Sequence, residues 1–271
     1  MKMNGNTILI TGGGSGIGRG LAGAFHKRGN QVIITGRRIS RLKAVCDAHP
    51  GMLAVELDVR DPAAVKRVTA QIVADHPGLN VLVNNAGIME LDDVAGPVDE
   101  EMLVATVTTN LGGPIRMSGA LVGYLMMQPS PVIINVSSIL AFVPLVPTAA
   151  YSATKAALHS YTLSQRYKLR GAGIKVIEIV PPWVRTELLN SLEEERAMPL
   201  DAFIEATMAM LATDADEILV GQAPQMRANP GPHEHVWVNQ FNDLIAAGPS
   251  RLTRLSQCQF PGVFFTSRIL S

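Results

Sequence analysis

Tyr151 and Lys155 stand four apart in Tyr151-Ser152-Ala153-Thr154-Lys155, which puts a phenol and an ammonium on one face of a helix. Ser138, thirteen residues before Tyr151, closes an apolar run through Asn135-Val136-Ser137-Ser138. These three groups suit one type of chemistry. Hydride addition to a C=O leaves an alkoxide, so a site for it needs a donor to the oxygen and a proton to deliver. Tyr151 is the candidate for the proton and Ser138 for holding the oxygen. Bringing a tyrosine from its ordinary pKa of about 10 to neutrality takes about 4 kcal/mol. A cation about 5 Å away at an effective dielectric of about 20 supplies roughly 3 kcal/mol of that. Lys155 is therefore expected to acidify Tyr151.

Such groups must be carried by a scaffold, and its plan begins at Thr7-Ile8-Leu9-Ile10-Thr11. That β-branched run breaks into Gly12-Gly13-Gly14-Ser15-Gly16-Ile17-Gly18, and apolar residues resume at Ile17, Leu21 and Phe25 with helical spacing. A strand, a glycine turn and a helix follow. The glycines permit positive φ and close backbone approach, and the N–H groups at the helix start form an anion site suited to a dinucleotide pyrophosphate. Further strands are expected at Gln31 to Thr35, Met52 to Leu57, Val81 to Val83, Val132 to Val136 and Lys175 to Val180. Helices are expected between them: a short one ending near His49, one capped by Asp61-Pro62, two from Asp99 to Leu111 and Pro114 to Met127, and one from about Ala150 to Arg170. Another is expected at Leu200 to Leu211. Strands apolar throughout and alternating with helices predict an α/β, doubly wound, Rossmann-like domain with a mostly parallel sheet covered on both faces. Residues 1–228 form that domain. Residues 229–271 are a C-terminal extension with a helix at Val238 to Ala247, serving as a docking arm, a cover for the substrate site or a loose tail.

The glycine turn, Asn84-Asn85-Ala86-Gly87, Asn110, Ser138, Tyr151 and Lys155 occur in the order of the short-chain dehydrogenase/reductase family, which the chain resembles from about Asn6 to Val220. Gly36-Arg37-Arg38, His49-Pro50-Gly51 and the prolines at 181 and 182 are similar to a bacterial subgroup named after a teichoic-acid D-alanylation operon. The resemblance implies a catalytic set of Asn110, Ser138, Tyr151 and Lys155. In it Lys155 also binds the nicotinamide ribose and Asn110 helps a proton relay through water. It implies cofactor contacts from Gly12, Gly14, Ser15, Gly16, Ile17 and Gly18, from Asn85, Ala86 and Gly87, and from Tyr151. Asp58 and Val59 resemble the pair that holds the adenine ring. Pro181-Pro182-Trp183-Val184-Arg185-Thr186 resembles the segment in which Pro181, Val184 and Thr186 contact the nicotinamide, with proline replacing glycine at 182. Family likeness also implies a homodimer or homotetramer built on the helices at 99–127 and 150–170, where Ala156, Ala157 and Ser160 permit close approach.

An arginine after the second strand accommodates a 2′-phosphate, whereas an acid there binds ribose hydroxyls. Arg37 and Arg38 occupy that place, and their guanidinium forks match phosphate, so NADP(H) is favoured over NAD(H). Ser15 stands where many NADP-preferring members carry a basic residue. Ile139, Leu140, Phe142, Val143, Leu145 and Val146 predict a small apolar or aromatic carbonyl or alcohol substrate. Two other uses of the same residues stay open: a nucleotide-binding sensor or scaffold without turnover, and an epimerase or dehydratase with retained cofactor.

Composition bounds the rest. The chain has 23 basic and 23 acidic side chains and no net charge, so nothing steers it to nucleic acid or a membrane surface. Cys46 and Cys258 are expected to be reduced thiols. The chain opens directly on a strand pattern, and a cytoplasmic protein without signal peptide or membrane span is expected. His233-Glu234-His235 is expected to be a polar loop and not a metal site; His26, His49, His76 and His159 receive no role.

Overall fold

The opening apolar run forms β1 (Thr7–Thr11), and its alternation decides which layer each residue serves. Ile8 and Ile10 join one core with Leu21, Phe25 and Phe203, while Leu9 joins a second with Leu82, Met117, Leu121 and Ile133. The computed structural model describes residues 1–228 and 231–246. Among them, β1, β2 (Gln31–Gly36), β3 (Leu53–Glu56), β4 (Leu79–Asn84), β5 (Val132–Val136), β6 (Lys175–Val180) and β7 (Glu217–Leu219) make one parallel sheet in the order β3-β2-β1-β4-β5-β6-β7. The order reverses between β1 and β4, so a crevice opens at the carboxyl ends of those two strands.

Helices cover both faces: α1 (Gly16–His26), α2 (Ile39–Asp47), α3 (Pro62–Asp75), α4 (Glu100–Val107), α5 (Gly113–Leu125), α6 (Ala149–Leu169) and α7 (Leu200–Leu211), then α8 (Ala223–Arg227) and α9 (Glu234–Ala246). The Asp61 side chain caps α3 by accepting from Ala63 and Ala64 N–H, with Pro62 in the first turn, as the sequence predicts.

Differences from the expected plan are local. β7 escapes sequence reading because it is three residues long and only Ile218 is buried. The two helices expected from 99 to 127 join through a widened π turn at Thr108–Gly112. Helical turns of this kind often mark functional sites. Glu234 and His235 open α9 and do not lie in a loop. Ala247 and Cys258 fall outside the described residues.

Candidate active site

The crevice is a cleft of about 1620 Å³ that runs from the glycine turn to α9. Gly12 and Gly16 adopt φ of +69° and +50°, where a side chain is strained. A Cβ on Gly12 would stand 2.8 Å from the Cα of Ala86, and one on Gly18 would strike the Gly12 carbonyl and the Asn85 amide. Thr11 fastens β1 to β4 at this point: its Oγ1 accepts from Asn85 and Ala86 N–H at 3.0 and 3.1 Å. Asn85 Nδ2 donates back to the carbonyls of Thr11 and Gly12 at 3.0 and 3.2 Å. The turn fits an anionic group, because the Glu187 carboxylate already accepts from Gly16 N–H at 3.1 Å. That oxygen occupies the kind of position a pyrophosphate oxygen would take at a helix start.

Gly12, Gly14, Ser15, Gly16 and Ile17 line the cleft, and so do Asn85, Ala86 and Gly87 across from them. Gly18 is not at its surface; it serves the packing beneath. At the end of β2, the exposed Arg37 and Arg38 also line the cleft. Their guanidinium groups make no ion pair among the described residues. Asp58 lines it too, although its carboxylate is taken by the Arg60 fork, with Oδ2 to Nη2 at 2.7 Å. Desolvation pushes the Asp58 carboxyl up, and the Arg60 hydrogen bonds with the nearby Arg37 charge bring it below its ordinary value. Val59 is buried beside it.

Farther along, Ser138 leaves β5 and caps the short turn Ile139–Ala141, its Oγ accepting from Leu140 N–H at 3.1 Å. Tyr151, in the first turn of α6, lines the same cleft, and the Ser138 hydroxyl favours its charged form. Lys155, one turn on, lies with Nζ 5.5 Å from the Tyr151 ring centre and donates to the Val136 carbonyl at 2.8 Å. The expected acidification of Tyr151 is not what the structure shows. Burial pushes the phenol up to about 12 against the pull of the Ser138 hydroxyl. Burial also brings Lys155 down to about 8, with the Glu178 carboxylate pulling the other way. Both groups are less than 8% exposed, and desolvation of the phenolate outweighs what favours it.

Asn110 does not line the cleft. From the π turn its Oδ1 accepts from Ile88 N–H at 2.9 Å, and its Nδ2 donates to the Ile88 carbonyl at 2.9 Å and to Thr154 at 3.2 Å. It holds the segment following Gly87 against α6. Pro181, Val184 and Thr186 all line the cleft. Despite Pro182, the Pro181 carbonyl still accepts from Ile139 N–H at 3.0 Å, which keeps the loop in line with Ser138.

Two features were not read from the sequence, and a third, a helix against the cleft, was one of three uses left open for the C-terminal extension. Glu187 reaches Gly16 across 171 residues of chain, a distance no local pattern spans. The loop after Thr186 is braced by Arg185, which donates to the carbonyls of Glu194, Glu195 and Ala197, and by Trp183 to Ser191. Within it Leu189 and Asn190 hold φ of +50° and +51°, a strained backbone of the kind found at ligand clamps. Finally, α9 borders the cleft through Trp237, Phe241, Leu244 and Ile245, and Asn242 ties it to Pro144 and Val146.

A crevice at the switch point of a parallel sheet, a glycine turn and a Tyr-Lys-Ser set together define an oxidoreductase of the short-chain type. Residues 6–197 match the family described as short chain dehydrogenase, and the chain belongs to it. It is 40% identical to the uncharacterized oxidoreductase DltE of Bacillus subtilis (strain 168) over 201 residues, 73% of this chain and 79% of that protein. A short chain dehydrogenase from Burkholderia cenocepacia J2315 in complex with NADP superposes with a TM-score of 0.78 at 28% identity, covering 88% of this chain and 99% of that one. The 3-ketoacyl-(acyl-carrier-protein) reductase of Brucella melitensis complexed with NADH gives 0.72 at 30% identity, covering 79% and 93%.

Proposed function

We propose that this protein transfers a hydride between NADP(H) and the carbonyl or secondary alcohol of a small apolar or aromatic substrate, with Tyr151 as general acid and base. The observation that carries this reading is the meeting of Ser138, Tyr151 and Lys155 in the lining of one cleft, with the Lys155 ammonium 5.5 Å from the centre of the phenol ring. The nicotinamide, when bound, supplies or takes up the hydride. Ser138 donates to the substrate oxygen and orients it. Tyr151 Oη gives that oxygen its proton in reduction and takes it back in oxidation. At neutral pH, with the phenol near 12 and Lys155 near 8, both protons are in place, which is the form that reduction requires. Lys155 stabilises negative charge developing on Tyr151 and is positioned to bind the ribose, while Asn110 sets the Ile88 backbone and takes part in the relay.

Gly12, Gly14, Ser15, Gly16 and Ile17 would receive the pyrophosphate over the packing that Gly18 permits, Asp58 and Val59 the adenine, and Asn85 to Gly87 the adjoining ribose. Pro181, Val184 and Thr186 receive the carboxamide end. Arg37 and Arg38, free of ion pairs among the described residues, support NADP(H) over NAD(H). Ile139, Leu140, Val143, Val238 and Phe241 pack in one apolar cluster with Tyr151, which supports an apolar substrate and a covering role for α9 beyond the 1–228 domain. Val104, Val107, Ile115, Leu163 and Tyr167 are exposed on α4, α5 and α6 and support a homodimer or homotetramer, to be checked by light scattering. Among the described residues no helix is long and apolar enough to cross a membrane. The reading places the enzyme with the cytoplasmic nicotinamide pool.

The test is loss of reduced-nicotinamide absorbance when purified protein meets a panel of apolar and aromatic ketones with each cofactor. Turnover with NADPH is the expected result. Absence of turnover across the panel, with nucleotide still bound, would favour the sensor reading.

A further inference from the structure

One polar row crosses three adjacent strands of the sheet. Asn84 of β4, Asn135 of β5 and Glu178 of β6 are register partners, and each is buried. Asn84 Nδ2 donates to Asn135 Oδ1 at 2.9 Å, and Asn135 Nδ2 donates to Thr162 and Gln165 of α6 at 2.9 and 3.0 Å. Glu178, third in the row and paired in register with Glu217 of β7, is a carboxylate of zero exposure. Its Oε2 lies 2.8 Å from His159 Nδ1, and its Oε1 is buried without a hydrogen-bond partner. An acid so placed is costly to the fold, and a hydrophobic residue would serve packing better.

Its surroundings give it a use. Tyr151, Lys155 and His159 succeed one another at single-turn spacing on α6, the helix that lies over β6. Lys155 bonds the carbonyl of Val136, whose register partner Ile179 adjoins Glu178. We propose that Glu178, held by His159, is a positioning residue that keeps Lys155 a cation beside Tyr151 and so sets the alkaline limit of the reaction. This rests on the proton-transfer role given above to Tyr151 and Lys155. Burial acts to strip the Lys155 proton, and the Glu178 charge is what opposes it.

The charged and titratable groups around this centre are Tyr151 and His159 on α6, Glu178 on β6, Glu217 on β7 and Arg227 on α8. Donor atoms of His159, Glu178 and Glu217 come within 4.8 Å of one another. Arg227 already forks Glu217 at 3.0 and 3.3 Å, so a fixed cation answers that second acid. Phe142 meets the His159 ring edge-on at 4.8 Å and walls the dyad on that side.

Glu178→Gln keeps the shape and removes the charge. Removing a negative charge makes both Lys155 and Tyr151 lose protons at lower pH, so the two effects act in one direction. With NADPH and a reducible ketone, the alkaline limb of kcat/KM should move to lower pH by about one unit, with NADPH affinity within about threefold of wild type. Glu178→Asp should restore the limb in part, and His159→Leu should move it the same way as Glu178→Gln by leaving the acid unpartnered. Independently of turnover, the 13C resonance of Lys155 in protein labelled with [13C]lysine, assigned with Lys155→Arg, should titrate about one unit lower in Glu178→Gln. Should Glu178→Gln not fold, His159→Leu and Glu178→Asp carry the same two readouts. A purely structural role would lower the melting temperature or the rate at every pH and leave the limb and the lysine titration unmoved; that result overturns the proposal. If the wild type reduces no carbonyl, the functional reading fails on its own, and the lysine titration still decides this one.

Discussion

Lys155 directs its Nζ to the Val136 carbonyl at 2.8 Å while standing 5.5 Å from the centre of the Tyr151 ring. The ammonium is thus anchored to the end of β5, and its charge, more than a direct bond, acts on the phenol. Holding it there is a cost to the fold. Lys155 loses its proton near 8 in the folded chain and near 10.5 in the unfolded one. The penalty is fully present below the folded value and is relieved as pH rises toward the unfolded one. Lys155→Met removes it. The stability gap between Lys155→Met and wild type should therefore shrink by about 2 kcal/mol between pH 7 and pH 10, as measured by urea unfolding. A gap that stays constant would mean that Lys155 keeps its proton throughout this range in the folded chain, its hold on it not weakened by burial.

Cofactor choice should reside at the end of β2. Removing both guanidinium groups with Arg37→Ala and Arg38→Ala should weaken NADP binding by about 10- to 100-fold and leave NAD binding nearly unchanged, read by fluorescence titration. Equal losses for the two cofactors would assign the arginines to general electrostatics. An unchanged NADP affinity would assign them to solvent.

Glu187 holds one N–H of the glycine turn with a carboxylate, and a pyrophosphate must displace it. Glu187→Gln should tighten both cofactors, by about 3- to 10-fold each, because the pyrophosphate is common to the two. The equal gain separates this effect from that of Arg37 and Arg38. Weaker binding of both would make Glu187 a brace for the loop and not a competitor.

The candidate site groups were legible because the chemistry dictates their types and a helix dictates their spacing: Tyr151 and Lys155 fall one turn apart, and Ser138 leaves a strand whose apolar run is plain. Six of the seven strands were legible for the same reason. What stayed hidden depends on tertiary approach. The widened turn at Thr108–Gly112 has no composition of its own, yet it lets Asn110 clamp Ile88. Glu178 sits in an apolar strand, and nothing in the sequence brings His159 to it. The acidity of Tyr151 was misjudged because spacing supplies the neighbouring charge and omits the depth of burial, which here wins.

The most direct measurement is single-turnover mixing of NADPH-loaded wild type and Tyr151→Phe with the best ketone of the panel, with NADPH affinity titrated on the same preparations. The variant should keep its affinity within about threefold and lose hydride transfer by at least about a thousandfold, because only the proton donor has gone. Reduction by Tyr151→Phe within about tenfold of wild type would contradict the account and take the phenol out of the chemistry.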